Sequence, residues 1–200
     1  IEDTFEELDA YCNFTVPDYT GLTSVADNCG TITVTQSPIS GTVLSAHGTV
    51  QTITLTADDG NGNTNTTTFD ITLMDVTPPT AIAQNITVQL DANGVAAITP
   101  TQINNDSTDN CGIISISLDT TDFTCENIGE NTVTLTTIDV NGNESQATAL
   151  VTVEDNIAPM VIVKDLTINL DETGLISVAA EEFIEESYDN CSISDIDMDR

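Results

Sequence analysis

The chain has 200 residues, and 33 Asp and Glu against 2 Lys and Arg give a formal net charge of −31 at pH 7. This balance excludes nucleic acid and anionic membrane as partners, because both require a basic surface. It favours divalent cations as counter-charge, Ca²⁺ above all, since that ion takes clustered oxygen ligands. No run approaches 18 apolar residues, so membrane insertion by this segment is not expected. Hydrophobic residues at 39%, set in alternating runs, argue for a folded chain.

In chain order, residues 1–7 lead to Leu8-Asp9, and Cys12 follows. Asp27-Asn28-Cys29 occupies a loop. Thr-Ile-Thr-Leu-Thr (52–56) puts Ile53, Leu55 and Ala57 on one face of a strand, with Thr between them on the solvated face. A turn containing Asp59, Asn61, Gly62 and Asn63 returns the chain through Phe69, Ile71 and Leu73. The linker Asp75-Val76-Thr77-Pro78-Pro79 closes the unit.

The same order then recurs. Leu90-Asp91 repeats Leu8-Asp9 and Asp109-Asn110-Cys111 repeats Asp27-Asn28-Cys29, each 82 residues on. Thr-Val-Thr-Leu-Thr (132–136), Asp139, Asn141, Gly142 and Asn143 follow the first copy by 80, as Asp155 and Pro159 follow Asp75 and Pro79. Leu170-Asp171, Gly174 and Asp189-Asn190-Cys191 repeat their counterparts by 80 again. Markers in a constant order indicate tandem modules: repeat 1 over 1–79 with its opening missing, repeat 2 over 80–158, and the start of repeat 3 over 159–200. The chain reads as an excerpt of something longer.

Within repeat 2 the expected strands are 82–90, 95–99, 113–118 and 131–138, with Asp91-Ala92-Asn93-Gly94 as a turn. Short alternating strands in an 80-residue unit predict an all-β fold of tandem Ig-like β-sandwich repeats of the seven-strand type. The acidic stretch 181–186 is expected as a loop. Alternating strand direction brings three acidic segments to one end of repeat 2: the entering linker, the loop 100–111 and the loop after 138. Asp75, Asp109, Asp139 and Asn141 are therefore the first candidate Ca²⁺ ligands, with Asp106 and Asn143 next. Asp155 and Asp189 correspond at the second seam, and Asp27, Asp59 and Asn61 in repeat 1. The alternative is turn chemistry alone, since Asp, Asn and Gly are ordinary turn residues. The EF-hand spacing is absent.

The five cysteines suggest an oxidising compartment. Proximity within each repeat predicts Cys12–Cys29 and Cys111–Cys125, with the partner of Cys191 beyond residue 200; buried reduced thiols are the alternative. Zinc is disfavoured, as His47 is the only histidine and no Cys-x-x-Cys occurs. His47 is also the only residue that could serve a Ser-His-Asp arrangement, and it reads as a surface turn residue, so no enzyme is expected.

Cys12-Asn-Phe-Thr-Val-Pro-Asp18, Ala26-Asp27-Asn28-Cys29-Gly30, Thr35-Gln36-Ser37-Pro38, Gly41-Thr42, Asp59-Gly-Asn-Gly-Asn63 and Asp75-Val-Thr-Pro-Pro79 together resemble the HYR (hyalin repeat) domain. Repeat 2 departs from the pattern, having Cys125 and no cysteine early in its second strand. The repeats are similar to those of giant Bacteroidetes surface adhesins, gliding-motility adhesins among them, and more loosely to cadherin-like repeats. The resemblance implies an extracellular or cell-surface adhesion role. The leading expectation is a calcium-stiffened stalk whose partners are neighbouring repeats. The alternatives are a module binding surface glycan or protein and a subunit of a self-assembling filament.

Overall fold

The structure is a computed structural model and describes residues 2–28 and 30–196. The chain packs as two compact units. One comprises Ile1–Ile82, Asp106–Ser117 and Leu135–Ala147; the other comprises Ala83–Asn105, Leu118–Thr134 and Thr148–Arg200.

In the first unit, β1 (Thr4–Glu7), β2 (Asn13–Thr15), β3 (Thr33–Ser37), β4 (Val43–Ser45), β5 (Val50–Asp58) and β6 (Thr64–Met74) form two sheets. One has the order β1-β6-β5-β3 and the other pairs β2 with β4. β1 runs parallel to β6, from Thr4 opposite Ile71 to Glu7 opposite Met74. The alternation of β5 and β6 puts Ile53, Leu55, Phe69, Ile71 and Leu73 on the face between the sheets, where they pack with Leu8, Val16 and Tyr19. The Tyr19 and Phe69 rings meet edge to face at 5.2 Å. The expected faces of these strands are the observed ones.

Repeat 2 has the same plan. Its strands are β7 (Ile86–Gln89), β8 (Val95–Ala97), β9 (Ile113–Leu118), β10 (Asp122–Thr124), β11 (Gly129–Asp139) and β12 (Glu144–Glu154). The larger sheet has the order β7-β12-β11-β9, and β8 pairs with β10. β7 lies parallel to β12, as β1 does to β6. Leu90, Phe123, Val133, Leu135, Ala149, Val151 and Val153 are each buried. The fold is all-β, made of Ig-like sandwiches. Each of these two repeats shows six strands among the described residues, where a seven-strand unit was expected; the segment between the third and fourth strands is too short to add an edge strand. Residues from Pro159 onward contribute β13 (Met160–Val163) and β14 (Ile184–Tyr188), an antiparallel pair.

Two helical turns replace expected loops. Pro100–Ile103 is a single α-helical turn, α1, with Thr99 and Gln102 as a capping box: Gln102 Oε1 accepts from Thr99 N at 2.8 Å. Pro at the first helical position and this reciprocal cap favour the turn. Ala180–Phe183 forms a 3₁₀ turn and leads straight into β14, so the acidic stretch 181–186 is not a loop.

The cysteine pairing differs from the expectation. Cys12 bonds to Cys111 and Cys125 bonds to Cys191, across sequence separations of 99 and 66. Cys12–Cys29 is excluded by the bond Cys12 makes, and Cys29 itself lies outside the described residues. Cys111–Cys125 is excluded by the bonds that these two residues make to Cys12 and Cys191. The physical reason is the approach of an Asp-Asn-Cys loop to the Leu-Asp turn of the preceding repeat. Asn110 Nδ2 donates to the Asp9 carbonyl at 3.0 Å, and Asn190 Nδ2 donates to the Asp91 carbonyl at 3.1 Å. Each bridge thus joins cysteines of successive sequence repeats, and closing a loop of about 100 residues contributes about 4.7 kcal/mol in the chain-entropy account.

The Leu-Asp turns share one device, whether or not such a loop meets them. Asp9, Asp91 and Asp171 each accept two backbone N–H groups through one carboxylate oxygen: from Tyr11 and Asn13, Asn93 and Val95, and Thr173 and Leu175. For Asp171 the Thr173 hydroxyl, then the Leu175 and Thr173 amides, hold the carboxyl below its ordinary range; for Asp91 the Val95 and Asn93 amides do so. A depressed pKa stabilises the fold above the unfolded value and loses that contribution as pH falls through the folded value. Carboxyl titration by NMR should therefore place the midpoints of Asp91 and Asp171 below those of freely solvated aspartates, and the support these carboxylates give their turns should be lost only as pH falls through the lowered midpoints. Midpoints at or above the ordinary value would contradict the turn geometry.

Candidate metal centre

Three chain segments of the first unit meet at one place. Asp75 follows β6, Asp109 lies in the loop before β9, and Asp139 ends β11. One carboxylate oxygen from each lies within 4.8 Å of the other two. Asp75 and Asp139 are wholly buried, and Asp109 is half-buried.

Each carboxylate is oriented by its own segment. Asp139 Oδ1 accepts the backbone amides of Asn141 and Asn143, both at 2.8 Å, and its Oδ2 accepts Asn143 Nδ2 at 2.8 Å. The turn closes with Asp139 N donating to Asn143 O at 3.1 Å. Asp109 Oδ2 accepts from Cys111 N at 2.8 Å and Gly112 N at 2.9 Å. Asp75 Oδ1 accepts from Thr77 N at 3.1 Å. These bonds leave Asp75 Oδ2 and Asp109 Oδ1 buried with no hydrogen-bond partner. Buried anionic oxygens without donors are costly, and a polar atom in this condition calls for an explanation.

The surrounding atoms tie the segments together. Asn141 Nδ2 donates to the Asp75 carbonyl, as does Asn143 Nδ2 at 3.3 Å. Val140 N donates to Gly112 O at 3.2 Å, joining the Asp139 turn to the Asp109 loop. His47 is half-buried and its Nδ1 accepts from Asp75 N at 3.3 Å. It is a turn residue, but one that abuts the carboxylate group, which its isolated position in the sequence did not signal.

The remaining candidates lie elsewhere. Asp106 is exposed with φ of 59° and stands outside the group. Asp155 Oδ1 accepts Asn190 Nδ2 at 3.0 Å, while Asp189 Oδ1 and Asn190 Oδ1 are buried without partners. Asp59 builds the same turn as Asp139, accepting from the Asn61 and Asn63 amides and from Asn63 Nδ2 at 2.7 Å. Hydrogen bonding by the Asn63 side chain, then by the Asn61 and Asn63 amides, lowers the Asp59 pKa. Asp27 is exposed. Asn110 and Asn190, absent from the expected set, share the signature of the Asp-Asn-Cys motif; the motif was visible, but the backward reach of its Asn was not.

No protein-family model matches the chain, and no curated protein matches it. Solved structures similar to it include protocadherin extracellular domains. Human mucin-like protocadherin EC1-2 aligns with 76% of this chain and 95% of its own, at 15% identity and a TM-score of 0.38. Human protocadherin-24 EC1-2 gives 76% and 94%, 9% identity and 0.37. Protocadherin gamma B2 extracellular domains 1-5 align with 96% of this chain, which spans 46% of that longer one, at 17% identity and 0.34. At such scores the fold rests on the sheets described above. No helix among the described residues is long and apolar enough to cross a membrane.

Proposed function

We propose that the chain is a structural segment of a cell-surface or secreted adhesive protein, built of tandem repeats, in which a divalent cation, Ca²⁺ by its chemistry, neutralises and locks the group Asp75, Asp109 and Asp139. The observation that carries this reading is the pair of buried, partnerless oxygens, Asp75 Oδ2 and Asp109 Oδ1, within a three-carboxylate group. A hard cation supplies what these oxygens lack, and Ca²⁺ accepts the irregular geometry that three separate segments offer. The Asp75 carbonyl is a further oxygen, and turning the Asn141 carboxamide over would exchange its donor for an acceptor. An ion there would bind the linker of repeat 1 to two loops of repeat 2, opposing their separation under load. HYR-like repeat grammar and disulfides between successive repeats support the extracellular, adhesive setting. The domain bounds 1–79, 80–158 and 159–200 are part of the same proposal.

Calorimetric titration of the metal-stripped chain with Ca²⁺ should show saturable binding, and excess chelator should lower the melting temperature and speed proteolysis in the 75–80 linker. An identical melting curve with and without chelator, together with no heat of binding, would remove the ion from this account.

A further inference from the structure

We infer that the Cys12–Cys111 disulfide is a positioning bond for the Asp75, Asp109 and Asp139 group, so that cation affinity and the redox state of this cystine are coupled. The inference rests on the cation reading above. Cys111 lies two residues after Asp109, and the Cys111 and Gly112 amides hold Asp109 Oδ2, which leaves Oδ1 as the buried oxygen without a partner. The short segment Asp109–Gly112 has three outside anchors: the disulfide to Cys12, the Asn110 bond to the Asp9 carbonyl, and the Val140 bond to Gly112 O. Two of the three lead to the same tight turn, where Cys12 N donates to Asp9 O at 3.0 Å and Cys12 takes φ of 57°. Both sulfur-bearing residues also pack on the apolar core of the first unit.

Like charges separate unless something holds them. Three carboxylates within 4.8 Å repel in the ion-free state, and Asp109 is the least buried of the three. A covalent bond two residues away prevents its loop from relaxing outward, so the site is assembled before the ion arrives and the ion does not bear the ordering cost. Cutting that bond should weaken binding although no ligand atom is removed. The coupling is reciprocal, because whatever the cystine adds to cation affinity the cation adds to the stability of the cystine. Reduction by a dithiol proceeds by attack of its thiolate on one sulfur, cleavage of the Cys12–Cys111 bond, and closure of the dithiol to a cyclic disulfide; two electrons and two protons pass to the cysteines.

The test uses the full chain in two arms. In the first, Ca²⁺ affinity is measured for the oxidised chain and for the double variant Cys12→Ser with Cys111→Ser, which keeps Cys125–Cys191. About 10–100-fold weaker binding is expected, the range for loss of a support behind a ligand. In the second, the unmutated chain is equilibrated in dithiol buffers with Ca²⁺ or chelator, and alkylation at Cys12 and Cys111 is read by mass spectrometry. Saturating Ca²⁺ should make this pair harder to reduce, by about 30 mV for each tenfold in affinity, and Asp75→Asn should abolish the shift. If the oxidised chain fails to bind Ca²⁺, the cation reading falls first. If it binds but the double variant binds equally well, or the potential ignores Ca²⁺, the positioning role is overturned and the site stands. If the double variant does not fold, the redox arm decides.

Discussion

Asp75→Asn should raise the melting temperature of the chain in chelator and abolish its response to Ca²⁺. The crossed sign follows from the geometry. Without an ion, Asp75 Oδ2 is buried and lacks a donor, and one oxygen of the Asp75 carboxylate lies within 4.8 Å of two other carboxylates. A pair of unit charges about 4 Å apart interacts by about 1 kcal/mol in water and about 4 kcal/mol at an effective dielectric constant near 20. Asparagine removes that charge, keeps Oδ1 as acceptor for Thr77 N, and presents an N–H that can donate to Asp109 Oδ1. A gain of about 1–2 kcal/mol is expected, or about 2–8 °C for a chain of this size. The same change removes a ligand. In the unmutated chain, Ca²⁺ at about 100 times its dissociation constant should add about 2.7 kcal/mol, a rise of about 5–10 °C; in Asp75→Asn that rise should be absent. Calorimetric scans of both proteins with Ca²⁺ and with chelator measure all four values. A variant less stable than the parent in chelator would mean that the carboxylate is satisfied without an ion, and the cation reading would lose its support. Asp139→Asn is a poorer probe, because both Asp139 oxygens already accept hydrogen bonds and an amide nitrogen at Oδ2 would face Asn143 Nδ2.

The strand faces and the meeting of Asp75, Asp109 and Asp139 were legible because they follow from local rules. Alternation along 52–57 and 69–73 assigns Ile53, Leu55, Phe69, Ile71 and Leu73 to one face, and strand direction alone brings three loops to one end of a module. The disulfides were not legible, because proximity in sequence is a poor guide when a bridge spans 99 residues. Their pairing depends on how one repeat's Asp-Asn-Cys loop meets the previous repeat's Leu-Asp turn, a relation that periodicity does not encode. Asp106 misled for a related reason. It sits only three residues before Asp109, yet its positive φ marks a turn residue and its side chain is exposed. The α1 turn is spelled by its cap residues Thr99, Pro100 and Gln102, but it falls in a stretch that strand order alone assigns to a loop.

Gly94→Ala should destabilise the chain far more than Gly174→Ala, although the two glycines occupy the same turn one repeat apart. Their backbones match, with φ of 72° and 74°, so the cost of a left-handed alanine, about 1–2 kcal/mol, is common to both. Their surroundings differ. A Cβ at Gly94 would lie 2.6 Å from the Asn190 carbonyl oxygen and 2.7 Å from Cys125 Sγ, whereas nothing stands within 4 Å of a Cβ at Gly174. The obstacles at Gly94 are a backbone oxygen and a sulfur fixed in a disulfide, so neither can swing aside as the end of a flexible side chain would. Overpacking adds about 1–3 kcal/mol to such a substitution. The difference between the two variants in denaturant midpoint, at unchanged slope, isolates that added cost. The strain should also appear where it arises: Cys125–Cys191 should become easier to reduce in Gly94→Ala and unaltered in Gly174→Ala. Equal midpoints for the two variants would show that the Asp189-Asn190-Cys191 loop does not press on the Asp91–Gly94 turn, and the close approach argued to set the Cys125–Cys191 pairing would have to be abandoned.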